Sequence, residues 1–320
     1  MIEQTPSVQS FDDTWPELPF KEWGDTCATL HLWTQIVGKV RLACTPWTNH
    51  SWHVPLYVTA RGLTSSLIPH GRGAFQIDFD FVEHQLRVST NSGGGRAARL
   101  ALEPRTVASF YAELMGALDE LGVGVEIDPL PTELPDPIPF PDDTVHASYD
   151  GEYVRRWWHI LIQSHRVFHA FRARFIGKNS PVHLFWGGLD LAVTRFSGRT
   201  APRHPGGIPH LADWITREAY SHEVSSAGFW PGNADAPNPI FYSYAYPTPE
   251  GFKDAKVEPE AAFWYDDLGE FVLPYDAVRQ ADDPDTVLDA FLETTYAAAA
   301  GLAGWDRKAL EAPPGFPKSS

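Results

Sequence analysis

The segment DPLPTELPDPIPFPDD, residues 128–143, places prolines at 129, 131, 135, 137, 139 and 141. Each proline lacks an amide donor and holds φ at an extended value, so this stretch can form neither a helix nor an inner strand. It must run as an extended strap. The chain of 320 residues is thereby divided into a first half, 1–127, the strap, and a second half, 144–320. Ile138 and Phe140 give the strap apolar side chains with which to lie against the protein.

The flanking halves read alike. The first opens with a helical pattern over Thr29–Leu42, then Asn49-x-x-x-His53 at the start of a strand. The second opens with a helix over Tyr153–Ile176, then Asn179-x-x-x-His183, again at a strand start. LALEPRTVASF (100–110) closes the first half and ADDPDTVLDAF (281–291) the second, each with an acid before proline, then Thr-Val and a phenylalanine. An acid before proline marks a helix start, because the carboxylate caps free amides and proline tolerates the first turn.

The segments between have antiparallel character. GAFQIDFDF (73–81) alternates, with Phe75, Ile77, Phe79 and Phe81 on one face and Gln76, Asp78 and Asp80 on a wet one. HQLRVST (84–90) returns as its hairpin partner. HLFWGGLDLAVTRF (183–196), AYSHEVSSAGFW (219–230), IFYSYAY (240–246) and AAFWYDDLGEFVLP (261–274) supply the strands of the second half. The expected class is α+β, with two related helix–antiparallel strands–helix halves produced by internal duplication. The spacing between matched positions grows along the chain, so the second half holds extra residues. They include SGRTAPRHPGGIPHLADW (197–214) and PGNADAPNP (231–239). Insertions on a repeated frame form loops, where function concentrates.

Composition narrows the partners. Hydrophobic residues are 43% of the chain, which supports a packed core. A net charge of −16 repels nucleic acid phosphates and anionic headgroups, so neither nucleic acid nor membrane is an expected partner. No apolar run reaches bilayer-spanning length, and MIEQTPSVQSFDD has no basic or apolar leader region, so a cytoplasmic location is expected. Cys27 and Cys44 fit no disulfide framework and read as reduced, buried thiols. His165 and His169 have the spacing of a helical metal pair, but Arg166 beside them opposes a cation, and His204, His210 and His222 add no regular spacing. No metal and no cofactor are expected. GxSxG is absent, Gly93-Gly94-Gly95 lacks the Lys-Ser/Thr of a phosphate loop, and no dinucleotide fingerprint follows a strand.

Three longer runs are distinctive: FRARFIGK (171–178), DLAVTRFSGR (190–199) and HEVSSAGFWPG (222–232). Together with Glu103-Pro104-Arg105 and Leu302-Ala303-Gly304-Trp305-Asp306, they resemble a bacterial family of unknown function whose members are single chains of about this length. The resemblance covers nearly the whole chain. It implies one module and carries no activity with it.

The same runs hold the candidate site residues. In DLAVTRF, alternation puts Asp190, Ala192 and Thr194 on one face and Leu191, Val193 and Arg195 on the other. Arg195 therefore points into the core, where a guanidinium must be paired, and Glu223 on the next strand is the expected partner. His222 and Glu223 are adjacent and face opposite ways, whereas Glu223 and Ser225 share a face. Gly228 permits close approach, and Phe229 and Trp230 stand at a mouth before Pro231-Gly232 turns the chain. Between Gly151 and Lys178 Glu152 is the sole acid among six basic residues, and the flank Trp158, His165, His169 and Arg172 offers a wall for an anion. The leading expectation is binding, or turnover, of a small polar or anionic molecule in a pocket of the second half. Arg195, Arg199 and Arg172 would contact the anion, with Glu223 as acid/base and Ser225 in the same cavity. Trp186, Trp230 and Tyr242 would form ring walls. The alternative is a non-enzymatic interaction module that presents Phe229 and Trp230 as an exposed patch. The sequence leaves open whether the chain is an enzyme, and its oligomeric state.

Overall fold

The computed structural model describes residues 14–313; Met1–Asp13, read above for a leader, and residues 314–320 lie outside the described residues. Helix α1 (Phe20–Cys44) opens the first half. Strands β1 (Tyr57–Thr59), β2 (Gly62–Thr64), β3 (Ile68–His70), β4 (Gly73–Asp80), β5 (Gln85–Thr90) and β6 (Ala97–Ala101) follow, and α2 (Val107–Glu120) closes it. After the strap come α3 (Gly151–Ala173), β7 (His183–Phe185), β8 (Asp190–Thr200), α4 (Asp213–Ala219), β9 (His222–Trp230) and β10 (Ile240–Tyr246). The chain ends through β11 (Phe263–Tyr265), β12 (Glu270–Pro274), α5 (Tyr275–Arg279), α6 (Pro284–Leu302) and α7 (Arg307–Leu310).

Each half contains one antiparallel sheet. The first runs β1-β2-β4-β5-β6, with β3 paired beside β4, and the second β11-β12-β10-β9-β8-β7. The fold is α+β. In both halves a long helix leads into a six-stranded antiparallel sheet followed by another helix, a shared plan that suggests duplication. The two sheets meet edge to edge. Leu56 donates to the Leu184 carbonyl at 2.9 Å and Leu184 returns a bond of 2.8 Å to Leu56, which sets β1 beside β7.

Local chemistry explains most boundaries. Asp150 caps α3 by accepting from the amides of Glu152 and Tyr153. Asp283 caps α6, with Pro284 in the first turn, as the acid-proline signal implies. The matching signal at Glu103-Pro104 does not start α2. Thr106 caps that helix instead, its hydroxyl accepting from Ser109 N at 3.1 Å, a short side chain reaching the third amide. Asn49–Ser51 forms a single 3-10 turn and β1 begins only at Tyr57, whereas His183 does open β7. On β4 the expected core face is buried, but Asp80 of the supposed wet face is buried too. Arg61 Nε at 2.7 Å and the amides of Val82 and Glu83 hold its carboxylate there.

Helix α1 is buried on every side, so it shows little amphipathic bias. Gly38 lies where the Trp186 indole crosses the helix; a Cβ there would meet the ring within 2.3 Å. Helices α3 and α6 cover one face of the second sheet and are clamped to each other by charge. Arg166 bonds Asp285 and Arg174 bonds Asp289 and Glu293, so acids of α6 answer the basic run of α3. Arg195 of β8 points into this layer. Its guanidinium lies 3.4 Å from the Phe171 ring centroid and 4.2 Å from that of Tyr296, donates to the Phe171 carbonyl, and reaches Glu293 at 3.4 Å.

Arg195 is 1% exposed and fills a slot between rings. Arg195→Ala is expected to lower the unfolding free energy by about 3–5 kcal/mol, read from urea denaturation. Arg195→Met, apolar and of similar length, should recover most of that loss.

Candidate functional site

The opposite face of the second sheet is uncovered by α3 and α6, and a pocket forms over it. Register sets Ala192 of β8 against Gly228, Thr194 against Ser226 and Phe196 against Val224 of β9. It then sets Gly228 against Tyr242 and Ser226 against Tyr244 of β10. Alternation therefore brings Asp190, Thr194, Tyr242 and Tyr244 to one side. The 197–214 insertion, with the rest of α4 and Tyr220 after it, roofs this floor with Ile208, Leu211, Ile215, Thr216 and Tyr220, while Trp47, His50, Ser51 and Trp52 of the first half form a wall. Thr132 and Glu133 of the strap stand at one end, beside the β7–β8 turn. The enclosed space is about 270 Å3. It draws on both halves and on the strap, not on the second half alone as the sequence implies.

Two carboxylates meet at the strap end. Glu133 sits at φ 62°, a left-handed conformation unusual for a non-glycine residue, and its amide donates to the Pro209 carbonyl at 2.9 Å. Its Oε1 rests on Gly187, where a Cβ would lie only 2.0 Å away. At Gly188 a Cβ would stand 3.1 Å from Asp190 Oδ1 and 3.8 Å from Glu133 Oε2. Both acids thus converge on one bare stretch of backbone, and the Gly187-Gly188 doublet makes the room. The Tyr242 hydroxyl donates to Asp190 Oδ2. Tyr242 reaches it by packing on Gly228, where a Cβ would come within 2.4 Å of the phenol. Tyr244 and Tyr220 bond each other at 2.8 Å.

Electrostatics follow from this enclosure. Burial lifts Asp190 to about 6, against the opposing hydrogen bond from Tyr242. Desolvation at the pocket and the Asp190 charge lift Glu133 toward about 7 although its side chain remains exposed, and burial with the same charge lifts Glu270, at the start of β12, to about 7. Glu133 keeps solvent contact through the pocket it lines. Carboxyl groups raised toward neutrality suit acid/base exchange. At the far end Lys178 Nζ lies 2.6 Å from His50 Nε2, and His50 Nδ1 pairs with the Ala219 carbonyl at 2.9 Å. That arrangement holds His50 as its Nδ1–H tautomer. His183 is fully buried on the floor, and neither of its ring nitrogens has a partner. Burial, then the nearby Arg41 and Arg172 charges, push it down to about 3, so it is a neutral imidazole. No lysine or arginine lines the pocket. Among the described residues no group of three His, Cys, Asp or Glu side chains is arranged to hold a metal ion.

The residues singled out from sequence separate by face. Trp186 lines the pocket, Tyr242 holds Asp190, and Trp230 donates to the Gly188 carbonyl at 3.1 Å. Arg195 and Glu223 do not pair. Glu223 bonds Arg199 at 2.7 Å, and Arg199 also donates to the carbonyls of Ala303 and Gly304, at the end of α6. Ser225 stands opposite Arg195 in the register, on the helix side. Arg172 Nε donates to the Ser180 carbonyl at 2.5 Å and ties the end of α3 to the segment before β7. Strand parity places Arg195, Glu223 and Ser225 on the helix side, away from the pocket; Arg172 belongs to α3 itself, and Arg199 lies in the irregular end of β8. Phe229 is fully buried and Trp230 half-buried, so the pair that the interaction alternative relies on is turned inward. Asp190 was legible as a member of the polar face of DLAVTRF. Glu133 was not, beyond being an acid among prolines.

The Asp190 pKa is higher folded than unfolded, so protonation favours the folded state. The stability it contributes is fully present below its ordinary 3.8 and is lost as pH rises through about 6. Asp190→Asn keeps an acceptor for Tyr242 and cannot ionise. Its unfolding free energy relative to wild type should therefore rise between about pH 4 and 7, by on the order of 1–3 kcal/mol, and level off above. Denaturation curves across that range measure it.

No curated protein and no solved structure matches this chain. No helix among the described residues is long and apolar enough to cross a membrane. Residues 15–312, nearly the whole chain and both halves of the fold, match the family of unknown function DUF5996, and the protein belongs to that family.

Proposed function

We propose that the chain binds a small polar molecule in the pocket between the second sheet and the 197–220 segment, and exchanges a proton with it through Glu133 and Asp190. One observation carries this reading: two carboxylates from distant parts of the chain converge on Gly188 at one end of an aromatic-lined pocket. Like charges brought together are held there at a cost to stability, which is a common mark of a working site. Asp190, fixed by Tyr242, would stay the more readily ionised partner, and Glu133 would carry the exchangeable proton. Such a pair supplies general acid and base to a bound molecule and so permits turnover. A cytoplasmic setting accords with this reading, since Cys27 and Cys44 are free thiols. The net charge of −16 speaks against a nucleic acid partner.

A thermal-shift screen of the full chain against small neutral, cationic and anionic metabolites tests the proposal. Ligands that stabilise the wild type should lose about tenfold or more in affinity on Asp190→Asn. The same loss is expected on Gly187→Ala, whose methyl takes the place of Glu133 Oε1. Arg199→Ala, on the helix side, should leave them unchanged. Indifference of the most strongly stabilising ligands to both pocket substitutions would remove the carboxylate pair from the site.

A further inference from the structure

The sequence leaves the ligand as polar or anionic, but the pocket has the wrong chemistry for an anion. Its charged lining groups are Glu133 and Asp190, and neither lysine nor arginine lines it. Its walls include the rings of Trp47, Trp52, Trp186, Phe196 and Tyr220. A ring face carries negative potential and attracts a cation, most strongly where water is excluded. An independent feature points the same way. His183 is fully buried and lines the pocket with both ring nitrogens unpartnered. Thr216, also buried and lining the pocket, has an unpartnered hydroxyl. Unpartnered buried polar atoms are costly, so a ligand that hydrogen-bonds them gains what an empty cavity forfeits.

From the convergence of two carboxylates and an unpartnered imidazole on a ring-lined cavity, we infer that the ligand is a small organic ammonium ion. This rests on the reading of the pocket as a binding site and names its ligand class. The ammonium group sits at the Glu133–Asp190 end and donates to both carboxylates. His183, opposite Ala192 on β7 and one diagonal step from Asp190, offers a lone pair as a further acceptor. The apolar body lies along the rings, in space for roughly ten non-hydrogen atoms. Lys178, at the far end, approaches the outer faces of Trp52 and Phe196 and does not line the pocket. Its charge directs a cation to the acidic end.

The proton balance of binding follows. Asp190 faces Tyr242, Glu133 and Glu270, and no cation stands among them to hold it ionised. An incoming ammonium supplies that cation. It favours the ionised carboxylates and displaces a proton to solvent, so affinity rises with pH until the pair is fully ionised.

The test uses size-matched sets on one skeleton each: benzyl, cyclohexylmethyl and isoamyl, as the amine, the alcohol and the carboxylate. Binding to the full chain is followed by ligand-observed NMR and by calorimetry in two buffers of different ionisation enthalpy. The amines are expected to bind about tenfold or more tighter than the alcohols, with no binding of the carboxylates. Amine affinity should increase between pH 5.5 and 8, with net proton release. Asp190→Asn and Glu133→Gln should each weaken the amines about tenfold and leave the alcohols within about twofold. Alcohols or carboxylates that bind as well as the amines, and respond to these substitutions, would overturn the ammonium assignment while the pocket reading stands. Probes that fail to bind, or that ignore both substitutions, would overturn the two together.

Discussion

Gln35, fully buried in the middle of α1, satisfies both backbone polar groups of a single strap residue, Thr132. Its Oε1 accepts from Thr132 N at 2.9 Å and its Nε2 donates to Thr132 O at 3.0 Å. Lys39, one turn further along α1, meets Asp128 at 3.5 Å. A stretch so rich in proline has few amides with which to bind itself to anything, so these side-chain clasps decide where it lies. Because they hold Thr132, the next residue must enter the pocket. Glu133 does so in a left-handed conformation, and its own amide secures the insertion at Pro209. Central helix, strap, insertion and pocket are thus one connected unit, and the connection passes through one amide side chain.

The pocket is also where the fold departs from its own rules. Among the described residues seven non-glycine residues have positive φ, and His50, Ser51 and Glu133 line the cavity. Leu189 immediately precedes Asp190, and His210 lies between the roof residues Ile208 and Leu211. Each such residue costs on the order of 1–3 kcal/mol. Added to them are the unpartnered His183 and Thr216 and the mutually repelling carboxylates. Most of the left-handed residues and the paired carboxylates gather around this cavity, whereas unpartnered buried polar atoms also occur in the core, at Trp23, Trp157 and Ser164 among others. Elsewhere the same sequence neutralises a buried acid completely, as Arg61 does for Asp80.

How far the sequence reveals this depends on which forces are local. The alternation of GAFQIDFDF and DLAVTRF reports the strands and their two faces, because period two is written in consecutive residues. Asp283-Pro284 reports a helix start for the same reason, whereas at Glu103-Pro104 the hydroxyl of Thr106 takes over the cap. The need of Arg195 for a partner is likewise legible from the apolar residues around it. The partner is not, since it depends on which helix the sheet packs against: Glu293 comes from α6, far along the chain, and Glu223 is taken by Arg199. Glu133 was hidden because nothing in TELP records a left-handed turn. Only the bare Gly187-Gly188 doublet, which leaves room for its carboxylate, hints that something must approach there.

The second sheet sorts charge by face, and parity along β8 is the means. Arg195 lies an odd number of residues from Asp190, so the guanidinium goes under α3 and α6 while the carboxylate enters the pocket. A slip of one residue in register would exchange them, setting a cation among the carboxylates and an acid against Phe171 and Tyr296. The register holds through Phe196 and then shifts before Thr200, with Gly198 at φ 86° in the irregular stretch. Past that shift Arg199 reaches Glu223 and the last carbonyls of α6, where a cation complements the negative end of a helix. The irregularity thus fastens the strand to the helix layer beyond the point where regular pairing stops. With both ends of β8 secured, by Arg199 to α6 and by Tyr242 to Asp190, the sheet cannot slide, and the separation of the arginines from the acids is preserved.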